Sequence, residues 1–146
     1  MDNEINIYTD GGARGNPGPA AIGFVVMTGN GKKIFGTGKP LGQTTNNVAE
    51  FSAMIAALQW LLKNKKSLGE KTNTVNFFSD SQLMVNQLKG IYKIKNIRLR
   101  SLIIQARQLE KQLNKIIIYC LIPREKNSLA DSLVNQTLDQ AEQLLH

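Results

Sequence analysis

Seven consecutive apolar residues, most of them β-branched, lie between Lys115 and Pro123. This composition favours a strand over a helix, and the absence of alternation predicts that the strand is buried on both faces over residues 115–122. A strand of that kind needs helices on both sides of its sheet. Such a strand is typical of an α/β fold.

The first forty residues predict three strands. Residues 5–10 alternate apolar and polar side chains, which is the pattern of a half-buried strand. Residues 11–19 are rich in glycine and proline and predict a loop. Residues 20–27 and 33–39 then form two further strands, joined by a glycine-containing hairpin turn.

After these strands the apolar residues are spaced as on one face of a helix, and Asn46 or Asn47 is the expected N-cap of this first helix. The predicted order is β-β-β-α-β-α-α-β-α, a mixed sheet with helices on its faces, in one domain over residues 1–146. Helices are predicted over residues 48–62, 81–88, 99–113 and 128–145, and the fourth strand over residues 74–79.

The composition limits the possible sites. The one cysteine, Cys120, cannot form an internal disulfide and is expected to be a buried thiol. The one histidine, His146, makes a histidine-ligated zinc site or a Ser-His-Asp triad unexpected. No apolar run approaches the roughly 18 residues of a membrane span, and a cytoplasmic protein is predicted.

The net charge of +7 predicts an anionic partner. Solvated helix ends and loops would also account for each basic cluster taken alone. The first cluster comprises Lys89, Lys93, Lys95, Arg98 and Arg100, and the second comprises Lys63, Lys65, Lys66 and Lys71.

Four acids occupy unusual places. Asp10 and Asp80 each end a predicted strand, and strand ends are where sites form in such sheets. Glu50 and Asp131 each head the apolar stripe of a helix, so both carboxylates are expected to face inward. Taken singly, these acids also suit a turn, an N-cap or a helix dipole.

Inward carboxylates are costly unless a cation neutralises them. No lysine or arginine is predicted on the same inward faces. A hard divalent metal with oxygen ligands is therefore the expected partner.

Four segments resemble the motifs of type 1 ribonucleases H. They occur in the order and spacing of that family, and the match covers essentially the whole chain. They are YTDGGARGNPGPA at residues 8–20, TNNVAE at 45–50, SDSQ at 79–82 and PREKNSLAD at 123–131. The resemblance implies a five-stranded sheet of order 3-2-1-4-5 with the second strand antiparallel. It also places the four acids around two Mg²⁺ ions, for which Mn²⁺ can substitute.

The activity implied by this resemblance is cleavage of the RNA strand of an RNA/DNA hybrid by a monomer, leaving 5′-phosphate and 3′-hydroxyl ends. Minor-groove contacts are implied for Gly11, Gly12, Asn16, Asn46, Asn47 and Gln82, where amides can distinguish ribose 2′-hydroxyls.

The chain departs from the family in two places. Many relatives carry a histidine in the loop before the last aspartate, whereas this loop holds Arg124 and Lys126, and Arg124 is expected to contact phosphate. The basic protrusion of some relatives is shortened to residues 89–100. Lys93 and Lys95 in this segment are expected to grip the DNA strand.

Two alternatives remain open. One is another nuclease of the same superfold, such as a junction resolvase or an enzyme that also cuts RNA/RNA duplexes. The other is a nucleic-acid-binding module that keeps the fold without turnover, against which the four intact acids argue.

Overall fold

The computed structural model describes residues 3–68 and 71–144. His146 and the predicted last helical residue, Leu145, lie outside these ranges. The strands are β1 (Glu4–Ala13), β2 (Gly18–Thr28), β3 (Lys33–Thr44), β4 (Thr74–Ser79) and β5 (Ile116–Leu121). The helices are α1 (Asn46–Lys63), α2 (Lys65–Leu68), α3 (Gln82–Leu88), α4 (Ile97–Leu113) and α5 (Ser128–Leu144), with a 3₁₀ turn over Arg124–Lys126.

The five strands form one mixed sheet in the order β3-β2-β1-β4-β5. β2 runs antiparallel to both of its neighbours, and β4 runs parallel to β1 and β5. The predicted fold class, strand order and direction of the second strand are thus confirmed.

Helices cover the two faces of the sheet unequally. α1 packs on one face, with α4 against it, and encloses a core that includes Phe51, Met54 and Leu58. α5 packs on the other face, over β1, β2 and β3. A Cβ atom on Gly23 would lie 2.7 Å from the Ala130 carbonyl oxygen, so glycine is needed for α5 to come this close.

The prediction that the last strand is buried on both faces is wrong. β5 is an edge strand that pairs only with β4 in the described sheet. Ile116 is 60% exposed and Ile118 is 43% exposed, because α5 lies over the opposite half of the sheet. Cys120, on the same side of the strand, is half-buried instead of buried.

The predicted loop over residues 11–19 is also too long. β1 continues to Ala13, which pairs with Ala20, and the turn contains only residues 14–17. The Arg14 N–H donates to the Pro19 carbonyl (2.8 Å) and closes this turn. Antiparallel pairing supplies hydrogen-bond partners to the glycine backbone, which outweighs its low strand propensity.

The first helix begins earlier than predicted and has a different cap. Thr45 Oγ1 accepts from the Val48 N–H (3.2 Å), whereas the side chain of Asn46 bonds elsewhere. The short helix α2 lies between the predicted first helix and fourth strand, where the sequence analysis predicts no element. None of the helices in the described ranges combines the length and apolar character needed to cross a bilayer.

Candidate functional site

The four predicted acids converge at one edge of the sheet from four different elements. Asp10 belongs to β1, Glu50 to the first turns of α1, Asp80 to the residue after β4, and Asp131 to the first turn of α5. Carboxylate oxygens of the first three lie within 4.8 Å of one another. Asp131 lies on the wall of the same cavity as these three acids.

Gly11 allows α1 to approach β1 at this edge. A Cβ atom built on Gly11 would lie 2.3 Å from the carbonyl carbon and oxygen of Ala49 and 2.6 Å from the Glu50 nitrogen. Any residue with a side chain would therefore push α1 away. This contact brings the Glu50 carboxylate to Asp10.

The carboxylates share a poorly solvated space. Asp10 is only 8% exposed, and burial, followed by the charges of Asp80 and Asp131, raises its pKa to about 7. Burial and the charge of Asp10 raise the pKa of Glu50 well above its usual value. Burial also raises the pKa of Asp80. Without a cation, the site therefore favours bound protons.

Little in the described chain compensates for this negative charge. The guanidinium of Arg124 lowers the pKa of Asp80, but burial outweighs it, and a hydrogen bond from the Gly11 backbone opposes the shift at Asp10 and Glu50. Glu50 Oε2 is buried and has no hydrogen-bond partner among the described residues. Clustered carboxylates with an unpartnered buried oxygen fit a hard divalent cation.

The four acids line a cleft with a volume of about 820 Å³. Its walls include five of the predicted substrate-binding residues, which are Gly11, Gly12, Asn46, Gln82 and Arg124.

Asn46 and Asn16 form a linked pair at the rim of this cleft. Asn46 Oδ1 accepts from the Ala13 N–H (2.8 Å), and the Asn46 N–H donates to Asn16 Oδ1 (2.9 Å). Both Oδ1 atoms thus accept from protein donors, whereas both residues are exposed and their Nδ2 groups have no hydrogen-bond partner among the described residues.

Three predicted binding residues lie away from the cleft wall. Asn47 is exposed on the first turn of α1. Lys93 and Lys95 are exposed in the connection between α3 and α4. That connection is anchored by hydrogen bonds from the Gln87 side chain to the Lys93 carbonyl (3.4 Å) and from Arg100 to the Ile94 carbonyl (2.6 Å).

The sequence analysis missed three side chains at the site. Asn135 lines the cleft and donates to Asp131 Oδ2 (3.3 Å), a contact that the i,i+4 helix spacing would have indicated. Tyr92 is the second, and its hydroxyl accepts a hydrogen bond from Gln82 Nε2 (3.3 Å). Arg14 lines the cleft and pairs with acids of α5, for which the sequence gives no local signal.

Comparison with known proteins identifies the family to which the chain belongs. A family model described as reverse transcriptase-like matches residues 8–137. LC11-RNase H1, solved in complex with an RNA/DNA hybrid, is 41% identical, with a TM-score of 0.88 over 94% of this chain and 98% of its own. The chain belongs to the type 1 ribonuclease H family.

Two further relatives differ in the share of their own length that this chain matches. RNase H1 from the halophilic archaeon Halobacterium salinarum is 36% identical, with a TM-score of 0.84 over 94% of this chain and 98% of that structure. A bifunctional protein of Mycobacterium tuberculosis is 40% identical over 141 residues, which are 96% of this chain. The chain spans only 37% of that protein's length.

Proposed function

We propose that this chain hydrolyses the RNA strand of RNA/DNA hybrids with the help of two divalent metal ions, leaving 5′-phosphate and 3′-hydroxyl ends. The observation that carries the proposal is the convergence of Asp10, Glu50 and Asp80 within 4.8 Å, with Asp131 beside them. The solved complex of LC11-RNase H1 with a hybrid supports the choice of substrate.

The four acids would hold the metal, which we propose to be Mg²⁺ with Mn²⁺ as a substitute. The unpartnered Glu50 Oε2 and the raised pKa of Asp10 are the features that a bound cation would relieve. When bound, such a pair of ions supplies Lewis acidity for water activation and for stabilising the leaving oxygen. No protein nucleophile is needed.

The rim residues would select the substrate. Asn46 and Gln82 line the cleft that holds the acids, and Asn16 is hydrogen-bonded to Asn46. The backbones of Gly11 and Gly12 line the same cleft. The ribose 2′-hydroxyl accepts as well as donates hydrogen bonds, so the exposed Nδ2 groups of Asn16 and Asn46 can donate to it and distinguish RNA from DNA. Contacts of this kind carry little base information, and weak sequence preference follows.

Arg124 would bind a phosphate of the RNA strand. Its charge already acts on Asp80, and it lines the same cleft. Arginine holds its proton too tightly to transfer one at neutral pH, so its contribution is electrostatic.

The exposed connection between α3 and α4 would contact the DNA strand. Lys93 and Lys95 lie in this segment, and their neutralisation of phosphates would release counterions. We propose that the chain acts as a monomer with a single ribonuclease H domain.

Cleavage of labelled duplexes tests the proposal. RNA/DNA, RNA/RNA and DNA/DNA duplexes are incubated with Mg²⁺, Mn²⁺ or EDTA, with wild type beside Asp10→Asn. The matched control is Asp139→Asn, which makes the same chemical change at an exposed acid of α5 paired with Arg14.

We expect the RNA of the hybrid alone to be cut by wild type and Asp139→Asn, and no cutting by Asp10→Asn or in EDTA. Cleavage that survives the Asp10 substitution or the chelator would reject the mechanism. Comparable cutting of RNA/RNA would favour the broader nuclease, and binding without cutting would favour the non-catalytic module.

A further inference from the structure

Asn127 joins the elements that carry the acids. It follows the 3₁₀ turn, is 1% exposed, and donates from Nδ2 to the Thr9 carbonyl (2.9 Å). Its own carbonyl accepts from the Asp131 N–H (3.1 Å), and its N–H donates to the Arg124 carbonyl (3.0 Å). One residue therefore contacts the neighbour of Asp10, the backbone of Asp131 and the backbone of Arg124.

The Thr9 carbonyl needs this donor because the β1–β4 ladder ends just before it. In the parallel β1–β4 ladder, alternate carbonyls face β4, and the series starts immediately before β1 at Asn3, which accepts from the Thr74 N–H (3.3 Å). The Thr9 carbonyl faces the same way, but pairing ends at Tyr8 and Phe78. The carboxamide of Asn127 replaces the missing backbone donor.

Position 127 requires a side chain that donates a hydrogen bond, and packing alone does not account for an asparagine there. Asn127 Oδ1 is buried with no hydrogen-bond partner among the described residues. Burying an unpaired acceptor costs free energy, which an apolar residue of similar size would avoid. The amide donor to Thr9 is what an apolar residue could not supply.

We propose that Asn127 is a positioning residue, which fixes Asp131 and Arg124 relative to Asp10 so that a divalent cation meets a preformed set of oxygens. This inference rests on the proposed function, because it assumes that Asp10 and Asp131 bind the metal. Side chains that orient metal ligands typically change metal affinity by about 10–100-fold when they are removed.

Magnesium binding measured by titration calorimetry tests this role without relying on turnover. The variants are Asn127→Ala and Asn127→Ser, compared with wild type well below each unfolding temperature. The matched control is Asn76→Ala, which removes a carboxamide that donates to Asn6 Oδ1 (3.0 Å) between β1 and β4. Asp10→Asn reports whether the acids bind metal at all.

We expect each Asn127 variant to bind Mg²⁺ about 10–100-fold more weakly than wild type, while Asn76→Ala binds normally. Cleavage should fall at a fixed low Mg²⁺ concentration and recover partly when Mg²⁺ is raised.

Three results would overturn the inference. They are unchanged Mg²⁺ affinity in a folded Asn127 variant, an equal loss in Asn76→Ala, and unfolding of both Asn127 variants when Asn76→Ala stays folded. If the inference alone fails, Asp10→Asn still loses metal and activity. If the proposed function fails, wild type and Asp10→Asn bind Mg²⁺ and cut hybrids alike.

Discussion

The backbone of Gly11 lies directly against the carbonyl group of Ala49, where a Cβ atom would come within 2.3 Å of the carbon and the oxygen. This contact joins the strand that carries Asp10 to the helix that carries Glu50. The geometry of the acids therefore depends on a position without a side chain.

Gly11→Ala should lower the free energy of unfolding by about 3 kcal/mol, because backbone atoms cannot yield as a flexible side chain would. Urea denaturation measures the change. Gly12→Ala is the matched control, since its Cβ would meet only Val134 Cγ1, at an ordinary 3.8 Å. Similar losses in the two variants would show that the close approach at Gly11 is not the cause.

Asp10→Asn should stabilise the metal-free protein at pH 8. Burial, followed by the charges of Asp80 and Asp131, raises the pKa of Asp10 to about 7, so its ionised form is unfavourable in the folded state. We expect a gain of roughly 2 kcal/mol in EDTA, with loss of cleavage. Urea denaturation of Asp10→Asn, with Asp139→Asn as control, measures it; a less stable Asp10 variant would contradict the prediction.

The stability of the metal-free protein should fall as pH rises from about 4 to about 7. Burial and mutual repulsion raise the pKa of Asp10, Glu50 and Asp80, so in this window the folded state holds protons that the unfolded state has released. The stabilisation is fully present below the unfolded pKa and is lost as pH rises through the folded one.

Denaturant unfolding at pH 5 and pH 8, in EDTA and in Mg²⁺, measures this linkage. We expect the protein in EDTA to be more stable at pH 5, and Mg²⁺ to stabilise it chiefly at pH 8, where the ligands are deprotonated. Equal stability at the two pH values in EDTA would contradict the coupling among the acids.

The sequence predicted the sheet and the four acids because both leave local signals. Strand ends locate Asp10 and Asp80, and helical spacing locates Glu50 and Asp131 on inward faces. The four motifs added the strand order, which local patterns do not determine.

The errors have a common physical cause, which is that local patterns do not report what lies above a strand or beside a loop. The apolar run of β5 gives no indication that α5 covers the other half of the sheet, so its exposed face was missed. Asn127 was missed because its partner, Thr9, is 118 residues away and is needed only where β4 ends.

Replacing Lys93 and Lys95 by glutamine should weaken hybrid binding and flatten its salt dependence. Both are exposed on a connection that hydrogen bonds hold in place, so they can reach phosphates without a large ordering cost. Each lost phosphate contact should reduce the slope of log K against log salt by about 0.7–0.9, or by up to about 2 for the pair.

Fluorescence anisotropy with a labelled hybrid measures this slope, in the Asp10→Asn background so that the substrate stays intact. Lys63→Gln with Lys66→Gln is the control, because Lys63 lies 13 residues beyond Glu50 in α1, about 20 Å along the helix. The two double variants carry the same net charge. A difference between their salt slopes would therefore reflect where the replaced lysines lie. Equal slopes would mean that the segment between α3 and α4 makes no phosphate contact of its own.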